Sequence, residues 1–426
     1  IQLTKGLIRF LQDSPTSFHA VANIAGILRE AGFTELHEGE KWELKKNGSY
    51  FVTRNQSSIL SFRIPAGTCG GYQIMASHSD SPTFKIKENP EMESEGHYIR
   101  LNVEKYGGML CAPWFDRPLS VAGRLVVKAG NCLVSKLVKV DRDLLMIPNL
   151  AIHFNRQVND GYKYNPQVDM IPLFGGHDSK GTFMKLVADA AGVHEEDILG
   201  HDLFLYSRMP GTIWGAGNEF FSCGRIDDLQ CAFASLKGFL ESEPAEGIAV
   251  HAVFDNEEVG SGTKQGADST FLMDTLRRIN TGLGRDEEAY LMALASSFMI
   301  SADNAHAVHP NLPDRADPTN RPYMNQGIVI KYNANQKYTT DAVSAAMFKA
   351  LCQRAGVPFQ TFANRSDMPG GSTLGNISNA HVSLNTVDIG LPQLSMHSPY
   401  ETAGVMDTCY LTRVAAHFYS ACIRAG

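Results

Sequence analysis

The chain has 426 residues, of which 43% are hydrophobic and 19% charged; 38 basic side chains against 45 acidic ones give a formal net charge of -7. These proportions fit a globular protein and exclude a disordered, collagen-like or low-complexity chain. A mildly acidic chain without a basic run is a poor start for nucleic-acid binding, although a local pocket can still take an acidic small molecule.

At about 150 residues per domain the length allows two or three domains. The longest largely apolar runs, such as Ile248 to Phe254, are strand-length and fall far short of the roughly 20 residues of a bilayer span, so no membrane contact is expected. The opening Ile1-Gln2-Leu3-Thr4-Lys5 lacks the regions of a secretory signal, and the eight cysteines include no CxxC pair. The expectation is buried, reduced thiols in a cytoplasmic protein.

In chain order, residues 1–30 read as two helices. Leu3, Leu7, Phe10 and Leu11 share one face, Ser14-Pro15-Thr16 interrupts, and Phe18, Val21, Ile24 and Leu28 share the next face up to Gly32. Strand-like stretches follow at residues 58–64 and 72–76, the second running into His78-Ser79-Asp80. From about Tyr98 the texture changes: Ile99, Leu101 and Val103 alternate with polar residues, and residues 125–128 and 133–140 are rich in β-branched side chains. This middle stretch, to roughly Gly217, reads as β-rich with one helix around residues 182–191.

After Asp227 the rhythm becomes α/β again. A helix is expected at 229–240, strands at 248–254, 299–302, 328–332 and 382–387, a helix with Val343, Met347 and Leu351 on one face ending at Gly356, and a closing helix at 411–422. Strands alternating with helices predict an α/β fold, a mainly parallel sheet with helices on both faces. The economical arrangement is one α/β domain, residues 1–90 and 218–426, interrupted by a β-rich insertion at 91–217.

Five regions place imidazole or carboxylate at or near the ends of these elements. In His78-Ser79-Asp80, residues i and i+2 of an extended segment point the same way, so the aspartate can accept the second N–H of an imidazole whose other nitrogen binds a metal. Asp255-Asn256-Glu257-Glu258 crowds carboxylates just past an apolar strand and before Val259-Gly260-Ser261-Gly262; the adjacent glutamates diverge, so one can hold an ion while the other faces the water that ion activates. Asp227-Asp228 opens a helix, Ser301-Ala302-Asp303-Asn304-Ala305-His306 follows a strand, and His397 lies in a polar loop. Taken singly, each is also an ordinary turn, cap or surface residue. Together they are the ligand set for two divalent ions about 3.5–4 Å apart. Competing signatures are weak: there is no P-loop, no nucleophile elbow, no H-E-x-x-H, and Gly260 to Gly266 does not fit the dinucleotide fingerprint.

The motifs Ala76-Ser77-His78-Ser79-Asp80-Ser81-Pro82, Gly224-Arg225-Ile226-Asp227-Asp228-Leu229, Asp255 to Gly262, Ala302-Asp303-Asn304-Ala305-His306 and Met396-His397-Ser398-Pro399-Tyr400-Glu401 resemble the aspartyl aminopeptidase family, in order and nearly end to end. Ile147-Pro148-Asn149-Leu150-Ala151-Ile152-His153 in the insertion and Lys331-Tyr332-Asn333-Ala334-Asn335-Gln336-Lys337-Tyr338 extend the match. One departure is Asp228, where that motif more often has asparagine.

The resemblance implies a dinuclear-zinc peptidase, with cobalt or manganese as other possible ions. It implies that Asp227 bridges the metals, that His78 and Asp303 complete one ligand set, and that Glu258 and His397 complete the other. Asp80 orients His78, and Glu257 is the general base. The insertion is then a dimerisation domain, dimers assemble into a tetrahedral dodecamer, and His153 reaches the partner's active site. The preferred substrates are peptides with an acidic N-terminal residue, for which Lys331, supported by His153, is the candidate cation. Two further readings fit the same residues. One is another dinuclear-zinc hydrolase, a carboxypeptidase or deacylase, with Arg365 as its carboxylate-binding arginine. The other is a non-catalytic, metal-stabilised assembly protein, against which the spare carboxylate of Glu257 argues.

Overall fold

A computed structural model describes residues 1–67, 70–244, 246–371 and 373–421. By contacts the chain divides into two units: Ile1–Asp80, Gly211–Met396 and Glu401–Gly426 in the first, and Ser81–Pro210 with His397–Tyr400 in the second.

The first unit is built on a nine-stranded sheet in the order Thr34–Leu36, Ser49–Arg54, Ser58–Arg63, Ile248–Phe254, Tyr72–His78, Phe298–Ala302, Asn385–Gly390, Ile328–Tyr332 and Phe359–Ala363. The four central strands, from Ile248–Phe254 to Asn385–Gly390, run parallel; Ser58–Arg63 and Ile328–Tyr332 flank them antiparallel. Both faces are covered, which is why Tyr72–His78 and Ile248–Phe254 are buried along their whole length. Ile248, Val250, Ala252 and Phe254 pack toward Phe271–Gly282 and Glu287–Ala295 on one face. Ala249 and Val253 belong to the other face with Gln2–Asp13, Ser17–Glu30, Ile226–Glu241, Ala342–Ala355 and Asp407–Ser420. Helix Ile226–Glu241 lies so close to Asp407–Ser420 that a Cβ on Gly238 would sit 2.4 Å from the Ala415 Cβ and 2.6 Å from the Thr412 carbonyl. A smaller five-stranded sheet joins Thr212–Trp214, Phe220–Cys223, Glu401–Gly404, Pro392–Leu394 and Ala305–His306.

Several expectations need adjusting. Helix Ala342–Ala355 buries Met347 and Leu351 as expected, together with Ala345, Phe348 and Cys352, but Val343 in its first turn is 48% exposed. The strand expected at 382–387 runs at Asn385–Gly390, because Val382 closes the turn after helix Leu374–Ser378 through its N–H to the Ser378 carbonyl. The closing helix is Asp407–Ser420. The cysteines are not uniformly buried: Cys132 is exposed and Cys111 and Cys409 are half-buried, while Cys223, Cys231 and Cys352 are buried, all six free. Cys69 and Cys422 lie outside the described residues.

The second unit is a six-stranded antiparallel sheet, ordered Cys132–Lys139, Leu119–Ala129, Ile198–Ser207, Thr83–Ser94, Tyr98–Tyr106 and Leu173–Gly176. Its core gathers Phe84, Leu101, Trp114, Leu125, Leu203 and Leu205, with Phe183 and Val187 from helix Phe183–Ala191. Strand Thr83–Ser94 belongs here because Phe84 and Ile86 point into this core, so the β-rich stretch starts before residue 91. Among the described residues no helix is long and apolar enough to cross a membrane.

Candidate metal centre

Parallel strands deliver their C-terminal ends to one edge of a sheet, and polar residues placed just beyond that edge meet there. In this sheet His78 ends its strand in register with Phe254, after which come Asp255, Glu257 and Glu258; Asp303 follows Phe298–Ala302. Gly390 makes the last step possible, since a Cβ there would lie 2.0 Å from the Asp303 carbonyl oxygen.

His78 is the hub. It is 1% exposed. Its Nδ1 lies 3.1 Å from the Asp80 carbonyl oxygen and 3.3 Å from Asp80 Oδ1. Its Nε2 lies 3.4 Å from Asp227 Oδ1 and 3.6 Å from Asp303 Oδ1. An Nδ1–H donating to Asp80 leaves the Nε2 lone pair facing the two other carboxylates, the arrangement a metal-ligating histidine needs. Donor atoms of His78, Asp227 and Asp303 lie within 4.8 Å of one another, as do those of His78, Glu257 and Glu258.

Three further carboxylates, of Asp80, Glu401 and Asp228, hold the backbone of the cluster in place. Asp80 Oδ1 and Oδ2 accept the N–H groups of Glu257 and Glu258, both at 3.1 Å, so one side chain orients His78 and the glutamate pair together. Asp227 and Asp228, joined by a cis peptide bond, precede the regular turns of helix Ile226–Glu241. Glu401 Oε2 accepts the N–H of Ile226 at 2.7 Å and that of Asp227 at 3.1 Å. Asp228, the departure from the family motif, is buried and accepts the His78 N–H at 3.0 Å through Oδ2, so it fixes the strand end.

So much buried acid is costly without a cation. Burial pushes the Glu257 carboxyl up to about 8, reinforced by the charges of Asp303, Asp80 and Asp227 and opposed by His78. Burial also raises Glu258 well above the usual carboxylate range, with Asp227 adding to it. At His78 burial works against the charged ring, yet Asp227, Asp303 and Asp80 hold its pKa well above the histidine range.

The remaining expected residues are placed as follows. Lys331 is buried; its Nζ donates to the Asn304 carbonyl at 2.8 Å, lies 3.8 Å from Asp303 Oδ2 and stands over the Tyr338 ring. Burial disfavours its charge, but Asp303 and Tyr338 more than offset that and raise its pKa. His397, at a φ of 68°, opens the loop His397–Tyr400 between strands Pro392–Leu394 and Glu401–Gly404 and groups with the second unit. His153 is exposed, in a turn of the second unit flanked by exposed Ile152 and Phe154. Arg365 bonds the Asp367 carboxylate through Nε and Nη2 and the Asp314 carbonyl through Nη1, so the arginine that a carboxypeptidase would need is already engaged. Sequence reasoning assigned no role to Glu401, although it lies inside a quoted motif; its partners are far away in sequence.

The profile of the aminopeptidase I zinc metalloprotease family, M18, matches residues 10–419. The chain belongs to this family. It is 49% identical over 428 residues to a probable M18 family aminopeptidase 2 of Clostridium acetobutylicum, covering 99% of each chain. Over 427 residues it is 39% identical to the probable M18 family aminopeptidase 2 of Pseudomonas syringae pv. syringae, covering 98% of each. Among solved structures it is similar to Chaetomium thermophilum mApe1, with 30% identity, a TM-score of 0.89 and 98% and 97% of the two chains covered. The S. cerevisiae mApe1 dodecamer gives 27% identity, a TM-score of 0.86 and coverage of 98% and 96%. The protein is therefore a metallo-aminopeptidase, a hydrolase of the M18 zinc family.

The residues fit zinc. Ligands at 2.0–2.1 Å in a tetrahedron stand roughly 3.3 Å apart, close to the His78 Nε2 separations from Asp227 and Asp303. Imidazole and carboxylate are also the donors this ion takes.

Proposed function

We propose that this M18 enzyme is a dinuclear aminopeptidase that removes acidic residues, Asp or Glu, from peptide N-termini. The observation that carries the reading is the meeting of His78 with Asp227, Asp303, Glu257 and Glu258, where so many buried carboxylates need more than one positive charge. In this reading His78 and Asp303 hold one ion, Glu258 and His397 the other, and Asp227 is shared. Zinc, when bound, makes a water acidic near neutral pH and polarises the scissile carbonyl; cobalt and manganese suit the same donors.

The chain's own residues do the rest. Glu257 takes the proton from the attacking water and hands it to the leaving amine. Asp80 keeps the His78 tautomer and the glutamate pair in place. Lys331 offers its ammonium to the acidic side chain, and an ammonium has three donors of which the Asn304 carbonyl takes one. The second unit is the dimerisation domain, where exposed Leu150, Ile152 and Phe154 suit burial against a second copy. Dimers assemble into a tetrahedral dodecamer, in line with the mApe1 dodecamer, and His153 donates across the subunit interface to the substrate. Free cysteines favour a reducing, cytoplasmic setting.

The test compares aspartyl, leucyl and N-acetyl-aspartyl chromogenic amides with and without chelator. Aspartyl amides should react fastest, acetylated ones not at all, and chelation should stop turnover until zinc is returned. Equal cleavage of the acetylated amide, or full activity in metal-stripped protein, would refute the proposal.

A further inference from the structure

Helix Ile226–Glu241 begins without a cap of its own. Arg225, at a φ of 62°, stands at the N-cap position, and its side chain bonds the Leu11 carbonyl instead of capping the helix. Asp227 and Asp228 stand ahead of the regular turns, so the buried N–H groups of Ile226 and Asp227 need acceptors from outside the helix. Here the acceptor comes from a residue remote in sequence. Glu401, 2% exposed, brings Oε2 to the N–H of Ile226 at 2.7 Å and to that of Asp227 at 3.1 Å, while Oε1 accepts from Gln393 Nε2 at 3.1 Å. Glu401 does not drift, because it opens strand Glu401–Gly404 and pairs in register with Cys223, just before Gly224 and Arg225.

The geometry points to Glu401 as a positioning residue of the metal centre: it clamps the backbone at Asp227 and so sets where the Asp227 carboxylate stands toward His78. Asp80 uses the same device on Glu257 and Glu258, one carboxylate accepting two consecutive N–H groups. Glu401 is not among the described residues whose donor atoms gather around His78, so its effect is exerted through Asp227. The inference rests on the metal-centre reading above.

The test is zinc affinity, measured by competition with a chromophoric chelator on wild type, Glu401→Gln and Glu401→Ala. Glutamine keeps the side-chain shape and one acceptor oxygen, whereas alanine removes the clamp altogether, so the two variants separate a weakened clamp from a missing one. Affinity should fall on the order of 10-fold for Gln and towards 100-fold for Ala, the range for partners that orient metal ligands. At saturating zinc the turnover of Glu401→Gln should return to within a few-fold of wild type. Variant affinities equal to wild type would overturn the inference alone. A turnover deficit that saturating zinc does not repair would also overturn it, because Glu401 would then act on substrate. Wild-type protein that takes up no zinc would sink the metal-centre reading and this inference with it.

Discussion

Removing the metal should make stability fall more steeply as pH rises. Without a cation, burial and the neighbouring carboxylates of Asp303, Asp80 and Asp227 push the Glu257 carboxyl up to about 8, against 4.5 in an unfolded chain. Between these values the folded protein keeps a proton that the unfolded chain has released, so stability falls as pH rises through the window. Each pH unit is worth roughly 1.4 kcal/mol for one group, and the full window is on the order of 5 kcal/mol. Glu258 shifts in the same direction and adds to the slope. Bound zinc holds these carboxylates ionised and removes that dependence. Asp255 and Asp407, pushed up by burial to about 7 and about 8, tilt both curves alike and drop out of the difference. The assay is urea unfolding of chelated and zinc-loaded protein at pH values between about 5 and about 8. The gap between the two should widen steadily with pH, and Glu257→Gln should reduce the slope of the chelated protein. A gap that is constant or narrows would refute the reasoning.

Other outcomes follow from the assignments. Glu257→Gln should keep the metals, by metal analysis of the purified protein, and lower turnover by a factor on the order of 10²–10⁴; Glu258→Gln should lose metal instead, and exchanged behaviours would reverse the pair. Lys331→Met should compress the ratio of aspartyl to leucyl turnover, and an unchanged ratio would move the pocket cation to another residue. His153→Ala should cost about 10²–10³ in turnover, the magnitude for one oxyanion-type donor. Mixing it with Glu257→Gln under subunit exchange should restore part of the activity; no recovery would place His153 and Glu257 in the same subunit's site.

Much of this was legible in the chain because the relevant pattern is local. Strands Ile248–Phe254 and Ile328–Tyr332 run where their apolar runs do, and the polar residues just past three of the central strands announce the site. Helix Phe271–Gly282 is legible in Phe271, Leu272, Thr275, Leu276 and Ile279, at three- and four-residue steps, although no helix was expected there. Thr34–Leu36 and Ser49–Arg54 give weak signals because they lie toward one edge of the sheet and alternate little. The clamp by Glu401 was illegible for a different reason. It joins residues 174 positions apart, and no periodicity reports a bond of that span. The same holds for Asp228, whose carboxylate finds the His78 N–H 150 positions away. The roles proposed for Glu257, His397 and His153 rest on family resemblance and not on pattern.

The interrupted first unit also dictates an order of assembly. Tyr72–His78 leaves the ribosome early, but its sheet neighbours Ile248–Phe254 and Phe298–Ala302 are synthesised only after the whole of Ser81–Pro210. At about 5–20 residues per second strand Tyr72–His78 therefore waits on the order of ten seconds or more, while the intervening β unit is made, before it can pair with either of them. During that interval an apolar strand ending in His78 has nothing to pair with on either of its inner edges, an exposed hydrogen-bonding ladder of the kind that recruits other chains. The nascent chain is thus most prone to aggregate between the two halves of its own catalytic sheet, and a chaperone that shields residues 72–78 should matter more for yield than one acting on the finished protein.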